Sequence, residues 1–491
     1  MPGPDIAQLL AAAIEHHQRA QLEQAEQGYQ RVLQIEPDNA RALHLLGVLA
    51  HQCGQHAESV ELISRAISLN TDFADAHANI SSPLMELGRL DEAMAHCERA
   101  AQLNPRLAAA HVNRASVMLR WGKTGEAIVS LGRAVQLAPD DPLPHTNLAK
   151  ALRESGRPHE AIREYDRALE LGGNPTDLRV NRAIALLSTG DFARGLPDYE
   201  SRLSLPGLND VARDMPAPRW DGRPLDGRVV LLRREQGFGD MINFVRYTPI
   251  IVERGGVVTV SAHPSMVRLL AGARGVASVV RDDEPLPPHD FYIPIGSLPL
   301  VFGTTPESIP AVVPYLVVDN AEAIARWRSR VESDSPNAFR VGIAWAGNPR
   351  QMHDRSRSTT LAAFAPLAGA RDVVFFNLQF GPAAAQMDSA PAGMRIVDYT
   401  RELHDFLDTA TLMQSLDLII SVDTATSHLA GALARPVWTV LGSPADWRYP
   451  LDRDDCPWYP TMRLFRRECE GDWRPVFTRL AEELRQVTPG R

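Results

Sequence analysis

RVVLLRREQGFGDMINFVRY, residues 228–247, passes from aliphatics flanked by arginine into a tight polar turn and then a mixed apolar segment. A short continuous apolar run reads as a strand buried on both faces, and the segment after Gly239 reads as the helix that follows it. In such a unit the turn lies at the carboxyl edge of a sheet, where backbone amides point outward. Gly237 and Gly239 are two glycines of a dinucleotide fingerprint whose third is absent, so the turn is phosphate-proximal without completing the motif. Asp240 follows directly. A carboxylate there projects into the cleft, and the helix dipole favours its ionised form; it either caps the helix or acts as a catalytic group.

Downstream, β-rich runs alternate with helical ones. The pattern predicts strands over 229–233, 257–262, 276–280, 291–295, 340–345, 373–379, 395–399, 417–423 and 436–442. Strands alternating with helices predict parallel sheets covered on both faces. The polar stretch 321–339 reads as a helix and turn joining two doubly wound, Rossmann-like domains, 226–330 and 338–470. The ending, 471–491, reads as an amphipathic helix packing back on that pair.

Upstream the texture is periodic. Gly54, Gly88, Gly122, Gly156 and Gly190 are each 34 residues apart, and Ala66, Ala100, Ala134 and Ala168 keep the same beat. Glycine ends a helix with positive φ at no steric cost, and small residues let a second helix approach closely. A lone hairpin cannot bury its apolar face, so such units must stack. The period resembles the tetratricopeptide repeat, with five repeats and a partial sixth over 6–203, followed by a proline- and glycine-rich linker, 204–227. Asn79, Asn113, Asn147 and Asn181 also repeat at 34, on the first helix of each repeat. In solenoids of this kind that position lines the concave face, and the column resembles the asparagine ladder of the eukaryotic protein O-GlcNAc transferases. Side-chain amides there either pair with the main chain of a bound peptide or bond to neighbouring helices. His77, His111 and His145, two residues earlier, read as interface packing.

Composition narrows the classes. The chain has 491 residues, 44% hydrophobic and 23% charged, with a net charge of -9, which argues against a general nucleic-acid or anionic-membrane binder. No apolar run is long enough to span a bilayer. Cys53, Cys97, Cys456 and Cys469 are scattered without metal-ligand spacing, which predicts reduced thiols in a cytoplasmic protein.

Two further stretches carry chemistry. DLIISVDTATSHLAGALARPVWTVLG, 417–442, is strand, polar turn, helix, strand, with Asp423, Thr424, Ala425, Thr426, Ser427 and His428 at the helix start. Free amides, hydroxyls and the positive end of a helix make an anion site beyond what capping needs. GIAWAGNPRQMHDRSRSTTL, 342–361, runs from a strand into a loop holding Asn348, Arg355 and Arg357. It is either a solvated charged loop or a pair of phosphate-binding arginines.

In order, EQGFGD, WAGNP…DRSRS and SVDTATSHLAGA resemble the heptosyltransferase-like glycosyltransferases of family 9, and more closely bacterial proteins that fuse tetratricopeptide repeats to such a domain. PRWDG (218–222) and DWRYPLDRDDCPWYPTMRLFRR (446–467) fit the same group. The resemblance implies an all-α repeat solenoid followed by a GT-B module, with an acceptor-side first domain and a nucleotide-sugar-binding second domain. It implies an inverting transferase that uses neither metal nor other cofactor, with a nucleotide-sugar as donor. On that resemblance Asp240 matches the general base, and Asp423, Thr424 and Thr426 match the turn holding donor sugar and diphosphate. Ala425–Thr426 stands where the family has glycine–leucine. Arg357, or else Arg355, is the nearest match to its phosphate-contacting basic residue, and His428 matches a motif histidine. Trp447 and Arg448 are placed at the nucleobase end. A protein or peptide acceptor presented by the solenoid is the leading expectation. The alternatives are a glycan or lipid-linked acceptor, or a catalytically silent scaffold. Asp452 and Asp454 form a literal D-x-D, read as a solvated loop past the last core strand.

Overall fold

Glycine and alanine spacing dictates the first two hundred residues, and the computed structural model shows how. It describes residues 5–208, 211, 215–235, 237–351, 354–467 and 471–488, the side chain of Arg355 excepted. The chain forms two compact units, Met1–Asn174 and Pro175–Arg491.

In the first unit, helices of 13 or 14 residues pair as hairpins, from Ile6–Gln18 with Leu22–Ile35 to Pro142–Glu154 with Pro158–Glu170. Gly54, Gly88, Gly122 and Gly156 turn each hairpin at φ between 73° and 79°; the first hairpin places Ala20 there at φ 56°. Tyr29, Ile63, Cys97, Leu131 and Tyr165, spaced by 34, are all buried, so Cys97 stands as one repeat's core residue.

The helix pair Pro175–Ser188 and Phe192–Tyr199 continues the period but belongs to the second unit, so the compact division falls at 174, not 203. Leu187, Phe192 and Leu196 are buried in that unit's core, which holds the pair there. The expected linker is likewise packed. Trp220 is buried and its backbone N–H donates to the Tyr292 carbonyl at 2.9 Å, while Leu225 is fully buried.

The second unit contains two sheets. β1 (Val229–Arg233), β2 (Val257–Ala262), β3 (Val276–Arg281) and β4 (Phe291–Pro294) form a parallel sheet in the order β3-β2-β1-β4. β5 (Phe339–Ala344), β6 (Val373–Asn377), β7 (Ile396–Val397), β8 (Leu418–Val422), β9 (Val437–Leu441), β10 (Asp455–Cys456) and β11 (Tyr459–Arg466) form the other, in the order β10-β11-β9-β8-β5-β6-β7. Its strands are parallel except for β10. Val341, Ile343, Phe375, Ile420 and Val440 feed the core on one face, while Ala344, Phe376, Ile419 and Leu441 feed the other. Burial on both faces is why these strands read as unbroken apolar runs.

β10 and β11 are two strands after 442 that the sequence pattern did not predict, while Asp452 and Asp454 lie in the turn before β10. β11 pairs in register with β9 from Met462↔Val437 to Arg466↔Leu441. Prolines and arginines disguise it in sequence. The helix Arg474–Val487 buries Val476, Phe477, Leu480 and Leu484 in the second sheet's outer core, with Phe477 4.5 Å from Phe364.

Candidate active site

The turn after β1 leads through Gly237 into the helix Phe238–Phe244. Gly237 has φ −85°, open to any residue; its requirement is space, since a Cβ there would lie 2.5 Å from Asp240 Oδ2. A Cβ on Gly239 would lie 2.8 Å from the His428 ring. The two glycines therefore allow close approach rather than a left-handed turn. Asp240 sits in the first helical turn and does not cap it, because the cap position is Gly237. Its Oδ1 accepts from Arg448 Nη2 at 2.5 Å. Burial raises the Asp240 pKa against the opposing pull of Arg448, with Asp446 and Glu235 adding to the rise.

Across the cleft, β8 ends in the second turn. Thr424 is the extended N-cap of the helix Ala425–Ala432, yet its hydroxyl lies 3.1 Å from Ser421 Oγ and bonds no helix amide. Ser427 is buried and donates to the Thr424 carbonyl at 2.8 Å, so it braces the turn from behind. Asp423 is buried and accepts from Tyr449 Oη at 3.0 Å. Burial, reinforced by Asp446, pushes its pKa up to about 6, against Arg357 and the tyrosine bond. His428 Nδ1 lies 3.0 Å from Tyr459 Oη, and Asn243 Nδ2 donates to the same oxygen at 2.9 Å. The phenol proton is thereby directed at Nδ1, which leaves Nε2–H facing Tyr449 Oη at 3.5 Å, with Asp423 Oδ1 beyond it at 3.8 Å. Burial, aided by Arg448, lowers the His428 pKa to about 3, so the ring is neutral.

The third stretch follows β5. Trp345 and Ala346 N–H both donate to Gln379 Oε1 at 2.9 and 2.8 Å, and Gln379 Nε2 donates to the Ala346 and Phe380 carbonyls. One buried amide thus ties the ends of β5 and β6 together. Arg357 donates to Asp354 at 3.3 Å and to Gln351 at 2.5 Å, while Asn348 Oδ1 accepts from the Arg350 amide within its own turn. The side chain of Arg355 lies outside the described residues.

These elements open onto one cavity of about 690 Å³, lined by Gly237, Gly239, Asp240, Asn348, Arg357, Asp423, Thr424, Ala425, Thr426 and His428. Sequence reasoning placed all ten in the site and missed Gln379, Asp446, Tyr449 and Tyr459. Arg448, which with Trp447 was expected at the nucleobase end, donates to Asp240, and Trp447 is buried. The motif DWRYP was the available signal for Asp446 and Tyr449.

In the repeat unit, Asn79 Nδ2 lies 3.0 Å from His44 Nε2, and Asn113 Nδ2 donates to the Ala78 carbonyl at 2.8 Å, both in the preceding repeat. Asn181, in the second unit, donates to its own helix at Asp177, and Asn147 is half-buried. His77 and His145 place Nε2 at 3.2 and 3.1 Å from the carbonyls of Thr71 and Pro139, closing the turn between repeats. Asp452 and Asp454 are exposed, and among the described residues no three His, Cys, Asp or Glu groups are placed to hold a metal ion. Cys53, Cys97 and Cys456 are free; Cys469 lies outside the described residues. Among the described residues no helix is long and apolar enough to cross a membrane.

Against known families, residues 401–469 match glycosyltransferase family 9 (heptosyltransferase), and residues 40–177 match the bacterial transcriptional activator domain. The chain combines tetratricopeptide-like helical repeats with a glycosyltransferase family 9 domain. Protein FlbA of Caulobacter vibrioides is 27% identical over 307 residues, 57% of this chain and 50% of that one. The chain thus spans about half the length of the curated relative it matches. Among solved structures, the thermophilic tetratricopeptide protein TTC0263 of Thermus thermophilus is 25% identical and covers 37% of this chain and 100% of its own, with a TM-score of 0.35. Pseudomonas aeruginosa PilF is 20% identical over 42% of this chain and 95% of its own, with a TM-score of 0.36.

Proposed function

We propose that the chain transfers a sugar from a nucleotide-sugar to an acceptor hydroxyl, inverting the anomeric carbon, on a GT-B module. The observation that carries this reading is that Asp240, from the edge of one sheet, and the 423–428 turn, from the edge of the other, face one cavity. The donor diphosphate rests on the first turn of the helix Ala425–Ala432, where uncapped amides and the helix dipole point, with Arg357 beside it. The acceptor O–H bond breaks toward Asp240, the oxygen bonds the anomeric carbon, and the carbon–phosphate oxygen bond breaks with its electron pair leaving on the diphosphate. Burial raises the Asp240 pKa and makes it a stronger base than a surface aspartate; general-base catalysis as a whole contributes roughly 10²–10⁴-fold. Helix dipole and arginine meet the charge of the leaving group, so the chemistry calls on no metal or other cofactor.

The repeats are proposed to present a protein or peptide acceptor in the cytoplasm, where free thiols persist. Asn79 and Asn113 spend amide protons on the preceding repeat. That favours a column that holds repeats together, and keeps a glycan or lipid-linked acceptor as the second reading.

Calorimetric titration with UDP, GDP, ADP, CDP and dTDP tests the donor site. One of them binds at micromolar strength and is lost in Thr424→Ala/Thr426→Ala. Binding by none would leave the repeat scaffold as the function. Asp240→Asn keeps nucleotide binding while transfer falls at least ~100-fold; replacing the four asparagines by alanine raises acceptor KM if the column meets a peptide.

A further inference from the structure

We propose that Arg448 passes from Asp240 to the donor diphosphate, so that donor binding is what releases the base. This rests on the sugar-transfer reading above. Arg448 is 4% exposed and lines the cavity. Its guanidinium lies 4.7 Å from the Phe244 ring and 4.7 Å from the Trp447 ring. Nη2 donates to Asp240 at 2.5 Å and Nη1 to Asp446 at 2.9 Å, while the buried Nε has no partner. One cation thus bridges a carboxylate from each half of the module. Arg357, the other arginine among the described residues of the cavity, is held within its own loop by Asp354 and Gln351.

Asp240, Asp405, Asp423 and Asp446 also line the cavity. A diphosphate entering among four aspartates has to be met by positive charge, and a buried guanidinium is screened least by solvent. Guanidinium binds phosphate oxygens in pairs, so the diphosphate competes directly for the Nη groups that hold the aspartates. In the empty site Arg448 holds the Asp240 pKa below the level to which burial alone would raise it. Once Arg448 turns to phosphate, the carboxylate is desolvated and unpaired, which strengthens it as a base in the complex that contains the donor. The aromatic pair around Arg448 fixes the plane of the guanidinium and leaves its edge free to choose between anions.

A calorimetric double-mutant cycle on the full chain tests this, using the same five nucleoside diphosphates with wild type, Asp240→Asn, Arg448→Gln and the double variant. The nucleotide that binds wild type is expected to bind Asp240→Asn roughly threefold or more tightly, and Arg448→Gln at least about tenfold more weakly. The double variant is expected to match Arg448→Gln, because the gain exists only while Arg448 can be released. An equal gain in both backgrounds would mean simple charge repulsion by Asp240 and would overturn the exchange. Wild-type affinity in Arg448→Gln would overturn it too. Should Arg448→Gln fail to fold, Arg448→Lys serves, since a point charge cannot bridge both aspartates; an undiminished Asp240→Asn gain there overturns the proposal. No binding to wild type by any of the five removes the sugar-transfer reading itself, and this proposal with it.

Discussion

Gly239 of the first sheet's turn and His428 of the second sheet's helix are in contact: a Cβ at Gly239 would lie 2.8 Å from Cδ2 and 3.3 Å from Nε2 of the imidazole. His428 cannot retreat, because its Nδ1 is bonded to Tyr459 and its ring lies against Tyr449 and Tyr459. Gly239→Ala therefore pushes the two halves apart. It is expected to cost about 1–3 kcal/mol in denaturant unfolding and to weaken nucleotide binding. Gly132→Ala is the contrast. It lies in the helix Thr124–Leu137 with nothing within 4 Å of a new Cβ, and it is expected to stabilise by roughly 0.5–1 kcal/mol.

Asp423 titrates high because it is buried beside Asp446. An acid whose folded pKa, about 6, exceeds its unfolded value of 3.8 binds its proton more tightly when folded, so stability is lost as pH rises through that window. Asp423→Asn removes the charge and keeps an acceptor for Tyr449. Its melting temperature is expected to exceed wild type at pH 7.5, with the difference shrinking by pH 5. An equal difference at both pH values would show that the carboxylate is not the source of the effect.

The repeat unit carries the opposite dependence. Burial lowers the pKa values of His51, His77, His96 and His111, and that of His44 to about 4. A base that is harder to protonate when folded contributes stability above its unfolded value of 6.5 and loses it as pH falls. His77 and His96 meet Nδ1 to Nδ1 at 2.9 Å, a contact that two imidazolium rings cannot keep. Hydrogen exchange in the helices Ala74–Glu86 and Leu90–Leu103, corrected for intrinsic rate, is expected to speed up between pH 7 and pH 5. Unchanged protection there would exclude these histidines as the source of acid lability.

The fold was legible where one force sets the pattern. The 34-residue beat of glycine and alanine gave the hairpins, and the apolar runs 229–233 and 257–262 are strands at those limits. β11 escaped because its residues alternate between core and a charged edge, so Met462, Leu464 and Phe465 are separated or flanked by arginines. In the site, the residues of the three polar turns were readable because turn chemistry is local. Gln379, Tyr449 and Tyr459 were not, since each acts on a residue more than twenty positions away. The same limit hid the packing of Phe192 and Tyr199 on Trp447, at 5.9 and 6.0 Å, which joins the last helix pair to the second unit.

That helix pair is followed by Arg202, whose removal tests its role most directly. Arg202 is 3% exposed and grips Glu235 with two bonds of 2.8 Å, while Nη2 also reaches Ser297 and Nη1 reaches Glu200. Glu235 is 8% exposed in its side chain, accepts from the Gly296 amide, and lies five residues before Asp240. Arg202→Met leaves that carboxylate buried without its cation, a loss of about 3–5 kcal/mol. Arg202→Met/Glu235→Gln removes both charges and is expected to recover most of it in urea unfolding followed by tryptophan fluorescence. Arg202 also lowers the Asp240 pKa, so any activity left in Arg202→Met should have its acidic limb at higher pH than wild type. By the same reasoning residues 175–491 should fold as a soluble chain and residues 205–491 should not, because the shorter chain exposes Trp447 and strands Glu235. Cooperative unfolding of 205–491 would show that the last helix pair is dispensable and that Arg202 only decorates the surface it covers.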